Sequence, residues 1–407
     1  MNLPPPPFVL LEDSKSQSRA NAGLLFAYPE RILEAASLGD IPPLLAEIEK
    51  LQVGGKYLAG WLAYEAGFAF HPTLARQRAP LPREPLAWIG VFGPPQGLTT
   101  AELDRLFAGL DPHGQHVDFK CGESRRVFAK KFKKIQAHIA AGDIYQVNHT
   151  FRLEGRLGGS PFRLYGNLRC SQPVPYGAFI DTGAWRVLSF SPELFLMRRG
   201  NLLVSKPMKG TAPCGRTWDE LQANGAALAA DPKNRAENLM ITDLIRNDIS
   251  RVAEPGSVRV RRPFHVERFG RVLQMTSEVR GKLKKSIGFA RVFEALFPCG
   301  SVTGAPKVRA MEIIAGTESA PRGVYTGALG FWAPGGNFTL NIPIRTLVLD
   351  REGRGRFGTG SGIVADSTLP GEYEECLLKA RFLSETRQPF ALIETLLWRG
   401  EHGFEFL

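Results

Sequence analysis

Cysteine is scarce in this sequence and carries no pattern. The five residues Cys121, Cys170, Cys214, Cys299 and Cys376 are odd in number and widely scattered, with no C-x-x-C pair. That argues against a disulfide framework and a structural zinc site and leaves ordinary reduced thiols. Long apolar runs are absent as well: no stretch approaches the ~18 consecutive apolar residues of a membrane span. The start, Met1 to Phe8 with prolines at positions 4 to 7, lacks the basic and apolar regions of a signal peptide. The expectation is a soluble, cytoplasmic protein with no membrane partner. No P-loop, zinc-finger or RNP-type signature is present, and no repeat of fixed period.

What is present is a chain of 407 residues, 43% hydrophobic, long enough for two average domains or one large one with a well-buried core. Its formal net charge of +11 would suit nucleic acid, a membrane surface or a small anionic substrate, so its distribution has to choose. In the densest run Arg125, Arg126, Lys130, Lys131, Lys133 and Lys134 alternate with Val127, Phe128, Phe132 and Ile135. This is the pattern of an amphipathic helix with a solvated basic face. A non-catalytic anion or nucleic-acid binder is the alternative of a different class, and nucleic acid is not expected as a partner.

Read in order, Phe8 to Asp13 is a strand and Ile41 to Leu51 a helix ending near Gly54 and Gly55. Gly60 to Gly67 reads as a buried strand that stops at a glycine, and residues 72 to 86, polar and rich in proline, as a surface loop. The basic helix ends near Gly142 and leads into a strand over Ile144 to Phe151, with further strands at Tyr176 to Asp181, Val187 to Ser191 and Leu194 to Met197. Asp231 and Pro232 are an N-cap and a first-turn proline for a helix to about Val252. A helix near Gly288 to Phe297, a loop to Pro306 and a helix from Lys307 follow. Hairpin strands at Gly327 to Trp332 and Phe338 to Leu349 come next, then a third strand ending in the glycine-rich Gly358 to Val364. Interspersed strands and helices without a βαβ rhythm predict an α+β fold with large antiparallel sheets.

Lys209 follows the apolar residues Leu202, Leu203 and Val204 and stands between Pro207 and Gly210, which fix and then release the backbone. Its amine is either a solvated rim charge or a nucleophile. The helix opened by Asp231 carries Glu237. The last helix, opened by Pro370, carries Glu372, Glu375 and Lys379 on one face at spacings of three and four. These acids are either a solvated ion-pair stripe or a carboxylate set for a hard cation such as Mg2+. The glycine-rich stretches at 300 to 304 and 358 to 362 read as loops whose backbone N–H groups could hold carboxylates.

Several motifs occur together and in one order: GDIYQVN (Gly142 to Asn148), SPELF (Ser191 to Phe195), PMKGTAP (Pro207 to Pro213), AENLMITDLIRND (Ala236 to Asp248), GSVTGAPK (Gly300 to Lys307), YTGALG (Tyr325 to Gly330), IPIRT (Ile342 to Thr346), GTGSGIVADS (Gly358 to Ser367) and EYEECLLKA (Glu372 to Ala380). In these the sequence resembles the chorismate-utilising enzymes, which include anthranilate, aminodeoxychorismate, isochorismate and salicylate synthases. The resemblance implies a single large α+β domain of two stacked antiparallel sheets flanked by helices, with chorismate and Mg2+ between them. It divides the chain into an amino-terminal part at 1–120 packed on the same domain, a catalytic part at 121–385 and a short tail at 386–407. Phe390 to Trp398 in that tail resembles the opening strand of a lyase domain fused to some relatives; no lyase activity and no pyridoxal cofactor are expected.

Carried over by motif, the resemblance implies that Glu237 and Glu375, with Glu372 close by, bind Mg2+. Glu193 protonates the departing C4 hydroxyl. Tyr325, Arg345, the amides of Gly360, Ser361 and Gly362, and Lys379 hold the substrate's carboxylates, and Thr303 lies beneath its ring. Gln146 and Thr211 complete the implied substrate-binding set. Isochorismate and salicylate synthases carry a lysine base where this chain has Gln146, so attack by water is not expected. A lysine at position 209 resembles the aminodeoxychorismate branch, in which lysine adds at C2 and ammonia then attacks C4; anthranilate synthase is the alternative. Ammonia is expected free or from a separate glutamine amidotransferase. In this family the first third can also hold a tryptophan, and Gln274 stands where many relatives carry a histidine.

Overall fold

The computed structural model describes residues 3–384, apart from 16–21, 77–80, 109–115, 216 and 271, together with Leu396–Trp398 and Phe404–Phe406. Two antiparallel sheets of ten strands each form its centre. The first runs Gly304–Ala305, Gln146–Gly158, Arg354–Ile363, Thr346–Asp350, Trp185–Ser191, Tyr176–Asp181, Phe8–Glu12, Gly23–Ala27 and Gln96–Leu98, with His116–Cys121 also paired to Gln146–Gly158. The second runs Met208–Pro213, Val272–Lys282, Leu202–Lys206, Leu194–Arg199, Asn337–Asn341, Ala328–Ala333, Tyr57–Leu62, Ala87–Phe92 and Arg31–Ala35, with Arg259–Phe269 also paired to Val272–Lys282.

Between the sheets lies an apolar cluster built from both, including Val9, Phe26, Ile180, Val187 and Val348 of the first and Ala59, Trp61, Trp88, Phe92 and Leu329 of the second. The outer face of the first sheet packs on the helices Arg125–Ala140, Pro161–Ser171, Lys307–Thr317 and Leu369–Ala380. That of the second packs on Ile41–Val53, Pro232–Ser250 and Phe289–Leu296. This layering buries one face of each helix and both faces of each sheet, which is how a chain of this length closes one core. The α+β reading with stacked antiparallel sheets holds. The two helices that carry acids are capped as expected: Asp231 accepts from the Asn234 N–H at 2.7 Å, and Thr368 from Gly371 N–H at 3.4 Å.

Four local readings are corrected. The strand at Gly60 ends at Leu62, and Tyr64–Phe70 is a 3-10 turn. The turn carries Glu65 inward, where it accepts from the backbone N–H groups of Arg322 and Gly323. The segment 72 to 86 is not simply a surface loop: Pro72–Arg76 is helical, and Glu84 and Leu86 are buried, Glu84 as the partner of Arg356. The run Phe338 to Leu349 is two strands in different sheets. The chain crosses at Ile342 to Arg345, where Pro343 removes a ladder donor and Arg345 takes φ 53°. Finally, 358 to 362 is not a loop but the interior of a strand. The tail reading falls largely outside the described residues; Leu396–Trp398 pairs with Phe404–Phe406.

Candidate active site

Away from that apolar cluster, the inner faces of the two sheets become polar. Along Arg354–Ile363 every second residue from Gly358 is glycine, while Phe357 and Ile363 belong to the core on the outer face. Gly358, Gly360 and Gly362 therefore present bare backbone to the interior of the sandwich. On the neighbouring strand Val147, Phe151 and Leu153 point into the same outer core, which leaves Gln146, Asn148, Thr150 and Arg152 on the inner side. Period two in both strands thus decides which side chains line the cleft. Past Phe357 the strand Thr346–Asp350 no longer pairs with this one, so Gly360 to Gly362 lie beside an open edge and the notion of available amides survives the loss of the loop.

Lys209 faces this floor from the second sheet. It sits in a bulge of Met208–Pro213, whose register against Val272–Lys282 shifts between Met208 and Thr211. A bulge re-aims a side chain, and here the half-buried amine donates to Asn148 Oδ1 at 3.3 Å. A Cβ on Gly362 would lie 3.1 Å from Lys209 Nζ and 2.7 Å from Gln146 Nε2, so the glycine makes room for both. Burial lowers the proton affinity of Lys209 although Glu237 opposes it.

Glu193 is buried, and burial pushes its carboxyl up to about 7 despite hydrogen bonding from Ser301 and the nearby charge of Lys209. Its Oε1 and both amide atoms of Gln146 are buried without a protein partner. Buried polar atoms are ordinarily satisfied, so these mark where a polar ligand would be met. Asn148 ends the GDIYQVN motif, which by itself assigns it no role. Its N–H donates to Thr303 O and its Nδ2 to Ser301 O, both at 2.8 Å, which leaves Oδ1 for Lys209. The available signal was its position two residues after Gln146 on the same face.

The three glutamates approach from two helices. Burial, and then the facing Glu372 and Glu375, raise the proton affinity of Glu237, while Lys209 and Lys233 oppose the shift. Glu375 pairs with Lys379 at 2.6 Å, and Lys379 also donates to Gly360 O at 2.9 Å. Burial favours the neutral form of Glu375, but Lys379 outweighs it and the carboxyl is held low. Glu372 accepts from Ser367 Oγ at 2.6 Å. Among the described residues no three His, Cys, Asp or Glu side chains converge tightly enough to hold a metal ion as they stand.

The remaining predicted residues divide. The ring of Tyr325 lies flush against Gly358, where a Cβ would fall 2.2 Å from a ring carbon, and it lines a cavity of ≈ 190 Å³ with Thr150, Arg152, Arg322 and Arg356. Arg345 Nη1 donates to Gln172 Oε1 at 3.2 Å. Arg345 and Thr326, which follows Tyr325, both hold positive φ, 53° and 61°, and for a β-branched residue such as threonine that is an uncommon, strained conformation. The Thr303 hydroxyl donates into its own turn, to Cys299 O at 3.1 Å, so it contributes backbone rather than side chain to the cleft. The Ser361 side chain is buried on the opposite face of its strand, next to the Cys376 thiol. Thr211 is exposed and accepts from Gln274 Nε2 at 3.0 Å, which gives the unusual Gln274 a structural partner.

The interior of the two-sheet sandwich thus turns from an apolar core to an amine, a buried carboxyl and facing glutamates. The sequence profile described as chorismate binding enzyme matches residues 8–385, and the chain belongs to that family. It is 38% identical over 253 residues to aminodeoxychorismate synthase component 1 of Bacillus subtilis, covering 62% of this chain and 54% of that one. It is 40% identical over 270 residues to anthranilate synthase component 1 of Thermus thermophilus, covering 66% and 58%. The aligned stretches thus span little more than half the length of these relatives. Among solved structures, anthranilate synthase component I from Streptococcus pneumoniae superimposes with a TM-score of 0.76 at 26% identity, over 94% of this chain and 93% of that one. No helix is long and apolar enough to cross a membrane among the described residues.

Proposed function

We propose that the protein aminates chorismate to 4-amino-4-deoxychorismate, an activity that would serve para-aminobenzoate and folate biosynthesis. The observation that carries this reading is Lys209: a half-buried amine with lowered proton affinity, aimed by Asn148 into a cleft that also holds a protonatable Glu193. In the proposed sequence the neutral amine of Lys209 adds at C2 of the ring, the double bonds shift, and the C4 hydroxyl leaves as water with the proton of Glu193. Ammonia then attacks C4, the double bonds return, and the Lys209 amine is expelled. Gln146, with both amide atoms unpartnered, would hydrogen-bond the substrate and is no base for water.

Glu237, Glu372 and Glu375 would hold Mg2+. The donor chemistry fits, because hard carboxylate oxygens suit that cation and Glu237 feels the repulsion of the other two, although the three side chains would have to draw closer together to share an ion. When bound, the ion would supply positive charge for a substrate carboxylate. Lys379, the open edge at Gly360 to Gly362, Tyr325 and Arg345 would receive the carboxylates. Several relatives are named as component 1, in keeping with ammonia arriving from a glutamine amidotransferase partner.

Anthranilate synthesis is the second reading, favoured by the similar identity to enzymes of that name. Incubation with chorismate, Mg2+ and ammonium, followed by product identification, tests the choice. Aminodeoxychorismate is expected; anthranilate and pyruvate would overturn the assignment.

A further inference from the structure

Between Asn148 and Arg152 the inner-sheet strand Gln146–Gly158 lacks a neighbouring strand on one edge. Gly304–Ala305 covers only Gln146 and Val147, and His116–Cys121 begins its pairing at Leu153. The gap begins at Asn148, whose Oδ1 accepts from the Lys209 amine. It is closed by an ion pair. Arg322 Nη2 donates to Asn148 O at 2.7 Å, Glu318 Oε1 accepts from Thr150 N–H at 2.8 Å, and the two side chains bind each other, Nε to Oε2 at 2.9 Å and Nη2 to Oε1 at 2.6 Å. The remaining arm, Arg322 Nη1, donates to Val302 O at 2.7 Å.

We propose that Arg322 is a positioning residue for Lys209, acting through Asn148 and the Val302–Thr303 turn rather than by touching substrate. A guanidinium has a rigid fork of donors, so one side chain can hold two carbonyls and a carboxylate at fixed relative positions, which a lysine cannot. Here the fork is 2% exposed, sits 4.4 Å over the Tyr64 ring, and has its own backbone N–H bound by Glu65. It joins the strand carrying Asn148 to the turn whose Ser301 and Thr303 carbonyls fix the Asn148 amide. The orientation of Asn148 Oδ1, and with it the aim of the Lys209 amine, follows from that junction. This role rests on the assignment of Lys209 as the nucleophile.

The test is Arg322→Lys, which keeps a positive charge beside Glu318 but loses the fork. Its first readout needs no substrate: acylation of the folded protein by an amine-selective reagent, with the rate at Lys209 read by peptide mass relative to Lys50, whose side chain is 80% exposed. A several-fold change at Lys209 with no change at Lys50 is expected. The second readout is turnover of chorismate with ammonium and Mg2+, where kcat should fall about 10- to 100-fold with KM for chorismate little altered, the signature of misplaced reacting groups. An unchanged Lys209 rate, or a KM that rises while kcat holds, would overturn the proposal. If Arg322→Lys does not fold, Glu318→Gln, which keeps an acceptor for the Thr150 N–H but removes the charge that holds the fork, is measured in the same way. Failure of the wild-type protein to make aminodeoxychorismate would instead remove the amination reading, and the labelling comparison would still decide whether Arg322 aims Lys209.

Discussion

Partial burial of Lys209 and full burial of Glu193 serve different chemical ends. Desolvation disfavours the charged form of each, so it frees the electron pair of an amine and retains the proton of a carboxylic acid. Lys209→Ala should abolish any covalent adduct detectable by mass spectrometry of chorismate-treated protein, while Glu193 and the three helix glutamates remain; wild-type aminodeoxychorismate turnover in that variant would exclude lysine from the proposed mechanism. Glu193→Gln should reduce kcat by about 10²- to 10⁴-fold, the usual contribution of a general acid. Because its carboxyl is pushed up to about 7, the acid is protonated below that pH, and wild-type kcat should decline as pH rises through about 7. The same residue affects stability: its folded proton affinity exceeds the unfolded one, so its contribution is present at low pH and lost as pH rises through about 7. Unfolding free energy measured by urea titration from pH 5 to 8 should therefore fall less steeply in Glu193→Gln than in wild type. Gly362→Ala isolates the space requirement, since its Cβ would press on Gln146, Asn148 and Lys209; kcat/KM should drop by about 10²-fold with an ordinary cooperative unfolding transition.

At the scale of elements, two helices and two strands bring the site together. The Pro232–Ser250 helix lies on the second sheet and the Leu369–Ala380 helix on the first, so Glu237 comes within electrostatic reach of Glu372 and Glu375 through the stacking of the sheets. Glu237→Gln and Glu375→Gln are expected to raise the Mg2+ concentration for half-maximal activity, with partial recovery in excess Mg2+; loss that no Mg2+ concentration alters would overturn their proposed role as Mg2+ ligands. The start of the Pro232–Ser250 helix is legible because Asp231 with Pro232 is a local signal, and Pro370 marks the start of the last helix, whose cap Thr368 the structure supplies. Composition alone reads the end of Arg354–Ile363 as a loop because glycine is a loop residue by propensity. Its alternation with Phe357, Thr359, Ser361 and Ile363 is the period-two signal that outweighs composition. Phe338 to Leu349 was misread for the converse reason: its residues are strand-like throughout, and Pro343 is the single mark of the crossing between sheets.

In the whole molecule the apolar and polar parts of one interlayer space do separate work. Trp61 and Trp88 stack at 5.5 Å within the inter-sheet core. Trp61→Ala should cost about 3–5 kcal/mol of stability, read by urea unfolding, while activity per folded molecule stays near wild type; an equal loss of specific activity would mean that core and cleft are not separable. The sequence by itself determined the family, the α+β class and the Asp231 cap, because motifs and caps are written in residues close along the chain. It did not determine that Thr303 spends its hydroxyl on its own turn, that Ser361 faces away from the cleft, or that Arg322 closes a sheet edge beside Asn148. Those facts depend on strand register and on contacts between residues up to 174 positions apart. A one-residue change of register exchanges the two faces of a strand, and only the packed sandwich, with apolar layers on both sides of each sheet, selects which face turns inward.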